Sequence, residues 1–547
     1  MKVVVVKPSR GTPSAVADIV LQQDAWDDYG FKTGYHLYYF TEGKDAFVGN
    51  LKILQRGQVE TPTSVLPEGE LQPLGEEFCS LGQSLDYYEH LAALPTEVRQ
   101  FVLGFFRDAL ADPEHAKSFE EEQGWRVSVT RDLDLDSYVP LARTLLERDY
   151  DALPAIGLDM TFRVAGWNDP LHLNFAGPSQ EVVWVVGSGL VTARLPERVA
   201  VITGRNGSGK STLMARLARV LHASQRDRTS EAISRLGAIE PPGIGFSRIV
   251  TVAYSAFDTF QVPGLGVEDR RQIAKDLRAG TGRYAFAGLR DIAAELEESL
   301  EAEGDATDAQ SGALDDRIAI DRQTRTRLKS AEQLADEYAR TIQAIVDAGR
   351  YSLLLRALKP LLADPSFSDI PDQSPAELLA LEQRPTFMGW STGLKIVMHA
   401  IATIVARTER KSIVLIDEPE SHLHPPLLAA FMHSVRNVLQ ANDAFAVVAT
   451  HSPVVVQETL GRHVSVVNRV GDEIAILPPR IETYGESIGE ITDEVFRLHP
   501  GATDFHATLK ALVDSGLTIE QIDGRFDRGL SLQARAYVMS LAATRGA

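Results

Sequence analysis

The chain has 547 residues, 44% hydrophobic and 24% charged, with a formal net charge of −20 and one cysteine, Cys79. The length allows two or three domains, the lone cysteine excludes a disulfide framework or a multi-cysteine zinc site, and the acidic balance argues against broad electrostatic affinity for nucleic acid, which needs Lys and Arg to neutralise phosphates. The apolar run Val3–Val6 is far short of a signal-peptide core, and no run approaches the roughly 18 residues of a membrane helix, so a cytoplasmic protein with no membrane partner is expected.

Residues 1–159 read as an α+β module without a catalytic signature. Tyr35–Phe40 and Ala46–Leu54 have strand composition and are joined at Glu42-Gly43-Lys44-Asp45, a hairpin signal. Thr96 is the expected N-cap of a helix over Glu97–Leu110, with Val98, Phe101, Val102 and Phe105 on one face. The aromatic pairs Tyr38-Tyr39, Tyr87-Tyr88 and Phe105-Phe106 suit either a recognition surface or a core, and core packing is the ordinary use of aromatics.

From Thr161 the pattern changes to short alternating segments, Thr161–Val164, Leu171–Phe175 and Glu181–Val186, which predict a small antiparallel sheet beside the next motif. Trp184, 26 residues before Lys210, is a candidate adenine-stacking residue or a buried strand tryptophan.

Val199–Thr212 reads VAVITGRNGSGKST. A β-branched apolar run predicts a buried parallel strand, and Gly204, Arg205, Asn206, Gly207, Ser208, Gly209, Lys210, Ser211 and Thr212 fill the pattern G-x-x-x-x-G-K-[ST] with one residue beyond it. Polyphosphate must be wrapped by backbone N–H groups, which glycines leave accessible. The helix-forming run Ser211–His222 then points its positive end at the phosphates. Lys210 is expected on the β- and γ-phosphates, and Ser211 on Mg²⁺.

Arg248–Tyr254 is a further strand, and Asp258 and Gln261 beyond its end are both candidates to sense the nucleotide or its metal. A helical insertion is expected over about 265–360, with Leu289, Ile292, Leu296 and Leu300, then Leu334, Tyr338, Ile342 and Ile345, at helical spacing. Asp291–Asp308 holds eight acids and no base, whereas Arg317–Lys329 holds five bases and one acid. Antiparallel helices of complementary charge explain this, with a nucleic-acid arm as the alternative.

Ser391 and Gly393 open the apolar helix Ile396–Ala406 and make a second anion site, which suggests ATP sandwiched between two subunits. Ile413–Ile416 is a strand ending in Asp417 and Glu418, placed to hold Mg²⁺ and to activate the attacking water. Phe445–Ala449 is another strand, ending at Thr450 and His451, where an imidazole can touch the γ-phosphate. A Ser452–His451 nucleophile pair is the weaker reading, because neighbours on an extended chain face opposite ways.

The order P-loop, Ser391-x-Gly393, Ile413-Val-Leu-Ile-Asp-Glu418, Ser421-His-Leu-His-Pro425 and Thr450-His-Ser-Pro453 resembles the ABC-type ATPases of the SMC, RecF and OLD group, most of all the AAA-family ATPases of bacterial antiphage operons. The resemblance covers roughly Thr161–Arg469. It implies an ABC-type α/β ATPase domain over 160–480, Lys210 and Ser211 on phosphate and Mg²⁺, Asp417 on Mg²⁺, Glu418 as catalytic base, His451 as γ-phosphate switch, and Ser391 and Gly393 as the signature that meets ATP across a homodimer. Leu394 stands where that signature usually has Gln or Glu. His422, His424 and His433 raise a metal site, which the absence of cysteine partners opposes; the resemblance places the first two at a dimer interface. Residues 481–547 read as helical, for example Ile488–Leu498 and Leu530–Ala543.

The expected function is an ATP-hydrolysing dimeric switch, with ATP and Mg²⁺, that gates a protein effector in phage defence or genome maintenance. A transporter ATPase subunit and a self-contained OLD-type nuclease are the alternatives.

Overall fold

The structure is a computed structural model that describes residues 1–547 except 10, 27, 42–43, 62, 156, 176–181, 187–188, 194, 305–325, 365–374, 381, 472, 497–503 and 546–547. It has the expected fold class: an N-terminal α+β module, an α/β P-loop core with inserted helices, and a helical C-terminal region.

In the N-terminal module, β1 (Val3–Val6), β2 (Ile19–Gln23), β3 (Gly34–Thr41), β4 (Lys44–Gln55), β5 (Gly69–Glu70) and β6 (Phe78–Gly82) form one sheet in the order β5-β1-β2-β3-β4-β6. The two strands of the expected hairpin pair antiparallel from Gly34↔Lys52 to Thr41↔Lys44; Glu42 and Gly43 lie outside the described residues. Tyr38, Tyr87, Tyr88, Phe105 and Phe106 are buried, so the aromatic pairs serve the core. The helix placed at Glu97–Leu110 instead spans Thr96–Phe105, with Pro95 as N-cap and no side-chain cap bond. Proline presets the backbone for a helix start, which leaves Thr96 inside the first turn.

The remaining strands are β7 (Leu158–Val164), β8 (Leu171–Phe175), β9 (Val182–Val186), β10 (Gly189–Ala193), β11 (Val199–Thr203), β12 (Gly237–Glu240), β13 (Ile249–Ala253), β14 (Tyr284–Gly288), β15 (Ile413–Asp417), β16 (Phe445–Thr450), β17 (Val464–Val470) and β18 (Glu473–Leu477). Seven of them form the central sheet, ordered β14-β13-β15-β16-β11-β17-β18 and parallel except for β18. Its inner strands are continuous apolar runs because both faces are buried. Alternate residues feed two cores: Val199, Val201, Val250, Val414 and Val448 face the helices Ala331–Asp347, Tyr351–Leu362, Thr392–Arg407 and Pro425–Ala441. Ala200, Ile202, Ile249, Ile413 and Val447 face the P-loop helix Lys210–His222 and the sheet β12-β7-β8.

Three details depart from the sequence reading. The segment expected to extend the small antiparallel sheet pairs instead with β10 as a separate hairpin, and β12 supplies the third strand. β14 lies within the stretch read as a helical insertion and forms the edge of the central sheet. β17 and β18, unexpected from sequence, extend that sheet past β11. Of the basic run Arg317–Lys329, residues 317–325 lie outside the described residues; Arg327 pairs with Glu298, and Lys329 with Glu337 at 2.7 Å.

Candidate nucleotide site

The site lies where the parallel strands end, which is where open α/β sheets bind ligands. β11 is flanked by β16, with Thr203 opposite Thr450, and β16 by β15, with Ala449 opposite Asp417. The P-loop, the Asp417-Glu418 pair and His451 therefore leave one edge of the sheet from three adjacent strands.

Between β11 and the P-loop helix, Gly204 and Gly209 are required by geometry. Their φ angles are +151° and +101°. A Cβ on Gly204 would run into the Val467 carbonyl, and one on Gly209 would meet Trp167 Cζ2 at 3.0 Å. Lys210 is buried, and its Nζ donates to the carbonyls of Gly204 at 3.0 Å and Arg205 at 3.2 Å. Ser211 Oγ donates to Asp417 Oδ1 at 3.3 Å, so the residues expected to share a cation are already in contact. Ser208 Oγ is buried without a hydrogen-bond partner among the described residues. Arg205, Asn206 and Gly207 form the exposed rim of the loop, and Thr212 is half-buried in the first turn.

Burial pushes Asp417 up to about 7, against the Ser211 hydrogen bond and with Glu418 adding to the rise. Burial lowers Lys210, while Glu418, Asp417 and Glu420 pull it back up. A desolvated carboxylate beside a second one and a serine hydroxyl is an oxygen donor set for a hard divalent cation, whose charge would restore the ionised form. Ser211 and Asp417 thus fit Mg²⁺, and the glycine-opened loop with Lys210 fits polyphosphate.

Glu418 has left-handed backbone, φ 47° and ψ 57°. Strain of this kind in a non-glycine residue gathers at functional sites. His451 Nδ1 stands 3.9 Å from Glu418 Oε1 and 3.0 Å from Glu420 Oε1. The Glu420 hydrogen bond raises the His451 pKa against burial.

Ser391 and Gly393 stand elsewhere. Ser391 is the exposed N-cap of the helix Thr392–Arg407, accepting from the Leu394 amide at 3.4 Å. Gly393 faces the His422–Leu423 turn. None of the contacts described for either residue reaches the P-loop.

Asp258 pairs with Arg290. Its side chain is fully buried, bonds Arg290 Nη1 at 2.5 Å and accepts from the Phe260 amide at 3.0 Å. Gln261 is half-buried on the same loop. His422 Nε2 bonds the Tyr254 carbonyl at 3.3 Å, and His424 caps the helix Pro425–Ala441. Among the described residues no group of three metal-ligating side chains occurs.

The side chain of Trp184 lies outside the described residues. Trp167, in the turn between β7 and β8, is the aromatic that packs on the P-loop, and only an isolated Gly166-Trp167 turn marked it in sequence. Glu420 was visible inside the string Asp417-Glu418-Pro419-Glu420, but nothing in its spacing distinguished it from an exposed turn residue.

A family model described as "AAA domain, putative AbiEii toxin, Type IV TA system" matches residues 257–457. Among solved structures, the SMC head domain from Thermotoga maritima is 14% identical with TM-score 0.23, covering 60% of this chain and 100% of that one. An ATP-binding cassette of an ABC transporter in its ADP conformation is 13% identical with TM-score 0.23, covering 62% and 96%. No helix among the described residues is long and apolar enough to cross a membrane. Protein ea59 of Escherichia phage lambda is 30% identical over 530 residues, spanning 96% of this chain and 95% of that protein. The chain belongs to the family of this phage lambda protein, and its residues 257–457 match the AAA-domain model.

Proposed function

We propose that the protein is an ATP-hydrolysing switch that works as a homodimer and gates a protein effector in conflict between phage and host or in genome maintenance. The observation that carries the reading is the convergence of Lys210, Ser211, Asp417, Glu418 and His451 on one edge of the central sheet. P-loop amides and Lys210 bind and orient the β- and γ-phosphates. Ser211 and Asp417 would hold Mg²⁺, which when bound would supply positive charge at the phosphates. Glu418 accepts a proton from the attacking water, and His451 reads the γ-phosphate.

The dimer is supported by Ser391: it is the exposed N-cap of the helix Thr392–Arg407, none of its described contacts reaches the P-loop, and a second copy would bring that helix end to the phosphates. A role as a switch is supported by the rear of the core. His222 ends the P-loop helix and Arg248 precedes β13; they meet Asp86 and Glu89 of the N-terminal module at 3.4 and 2.7 Å. Motion at the phosphates has a rigid path to that module, which could hold or release a partner. The phage-encoded relative supports the setting, and nucleic acid remains secondary to protein as the partner.

The test is ATP turnover by the purified protein together with its mass in solution. Turnover by wild type, and an ATP-dependent dimer of Glu418→Gln, are expected; a wild-type protein that turns over no ATP sinks the proposal.

A further inference from the structure

We infer that Glu420 is a positioning residue for hydrolysis: it fixes the His451 imidazole and thereby keeps Glu418 free to act as base. The inference rests on the ATPase reading above. The left-handed backbone at Glu418 and the turn Pro419–His422 fold the chain back, so that Glu420 sits beneath the end of β16. Its side chain is only 9% exposed.

One oxygen, Oε1, takes three donors: the His451 amide at 2.6 Å, the Thr450 hydroxyl at 2.8 Å and His451 Nδ1 at 3.0 Å. Thr450 Oγ1 in turn accepts from the Ser452 amide at 2.9 Å, so the backbone that carries the imidazole is held as well. The other oxygen, Oε2, is buried without a hydrogen-bond partner among the described residues. An unsatisfied buried acceptor costs free energy, and a chain that needed only a tight turn could avoid it with a smaller residue.

Two carboxylates flank the imidazole, and only Glu420 is within hydrogen-bond reach. With Nδ1–H on Glu420, Nε2 on the opposite edge of the ring is left for the phosphate, as a carboxylate orients a histidine in other hydrolytic sites. Without Glu420, Glu418 at 3.9 Å is the carboxylate left beside Nδ1, and an ion pair there would consume the base. Glu420, Glu418 and Lys210 are the charged groups facing His451; the two carboxylates favour its protonated form and Lys210 opposes it.

The experiment compares wild type, Glu420→Ala, His451→Ala and the double variant for kcat and ATP affinity, and follows the His451 imidazole by NMR against pH in wild type and the isosteric Glu420→Gln. Glu420→Ala should lower kcat at least about tenfold, below the span for losing general acid–base catalysis outright, with ATP affinity unchanged. The double variant should be no worse than His451→Ala, because Glu420 acts through that residue. The His451 titration midpoint should fall in Glu420→Gln. Wild-type turnover in Glu420→Ala, losses that multiply in the double variant, or an unmoved midpoint overturns the inference. A wild type without ATPase overturns the proposed function instead, and the nucleotide-free titration then decides the Glu420–His451 contact alone.

Discussion

His222, the last residue of the P-loop helix, places its Nε2 3.4 Å from Asp86 Oδ1 in the N-terminal module. The helix has 13 residues, so its phosphate-facing end and its module-facing end are about 20 Å apart on one rigid element. Burial works against ionised Asp86, yet Arg283, His222 and His90 hold its carboxyl well below the usual range. The seam is ionic, and its partners come from the P-loop helix, from Arg248 before β13, and from the helix Val267–Ala279.

That composition predicts a pH-dependent seam. Burial opposes protonation of His90, but its bond to Asp276, 2.9 Å from Nε2, prevails and raises it to about 9. A raised pKa contributes stability that is whole below about 6.5 and lost as pH rises through about 9, on the order of 3 kcal/mol. Thermal melts of wild type should therefore fall between pH 6.5 and 9.5 relative to Asp276→Asn, whose melts lack this slope. Parallel pH profiles for the two proteins would refute it.

Lys210→Ala should abolish ATP binding, because the desolvated ammonium is the positive charge inside the loop. Glu418→Gln should bind ATP and lose turnover about a hundredfold, the scale of removing a general base. Equilibrium binding of a fluorescent ATP analogue with steady-state phosphate release separates the two. Comparable hydrolysis by Glu418→Gln and wild type would remove Glu418 from its role.

The strands that carry the candidate site were legible in sequence because parallel strands buried on both faces are uninterrupted apolar runs, and because phosphate binding needs fixed residue types at fixed spacing. β11, β13, β15 and β16 and the residues at their ends follow from that. What escaped depends on contacts distant in the chain. β17 and β18 pair at the far side of β11, and their mixed burial leaves no continuous run to read. Glu420 and Trp167 acquire their places only when β16 and the P-loop arrive beside them. The partner of Asp258, Arg290, lies 32 residues on and was not legible from the local sequence.

The Arg290 pair predicts different phenotypes for Asp258 and Gln261. Asp258→Ala removes one of the two carboxylates on the buried Arg290 guanidinium, which keeps Glu295 and the residue-258 carbonyl, and should cost about 1–3 kcal/mol in denaturant unfolding. Gln261→Ala should reduce turnover with a smaller loss of stability than Asp258→Ala, if Gln261 senses the nucleotide. An Asp258→Ala protein of normal stability that fails only in turnover would reverse the assignment.

If the site is shared between two copies, as proposed, complementation is the decisive test of the dimer. Ser391→Arg blocks the signature end and Lys210→Ala the P-loop end, so each protein alone should be inactive. Mixed, they form one dimer in which one composite site has both an intact P-loop and an intact signature, and some turnover should return. Absence of rescue in demonstrated mixed dimers would mean that one chain completes its own site.

The protein is also expected to hydrolyse ATP without cutting nucleic acid by itself. Metal-dependent nuclease chemistry needs a metal-binding acidic cluster; among the described residues no group of three metal-ligating side chains occurs, and Asp417, Glu418 and Glu420 lie at the candidate nucleotide site. The net charge of −20 gives little sequence-independent hold on a phosphate backbone. The described bases of the run Arg317–Lys329, Arg327 and Lys329, pair with Glu298 and Glu337. Incubation with single- and double-stranded DNA and RNA, with ATP and Mg²⁺ or Mn²⁺, should leave every substrate intact while ATP is consumed. Cleavage that survives stringent purification and disappears on mutating residues outside the ATP site would place a nuclease in this chain, and the separate effector would no longer be required.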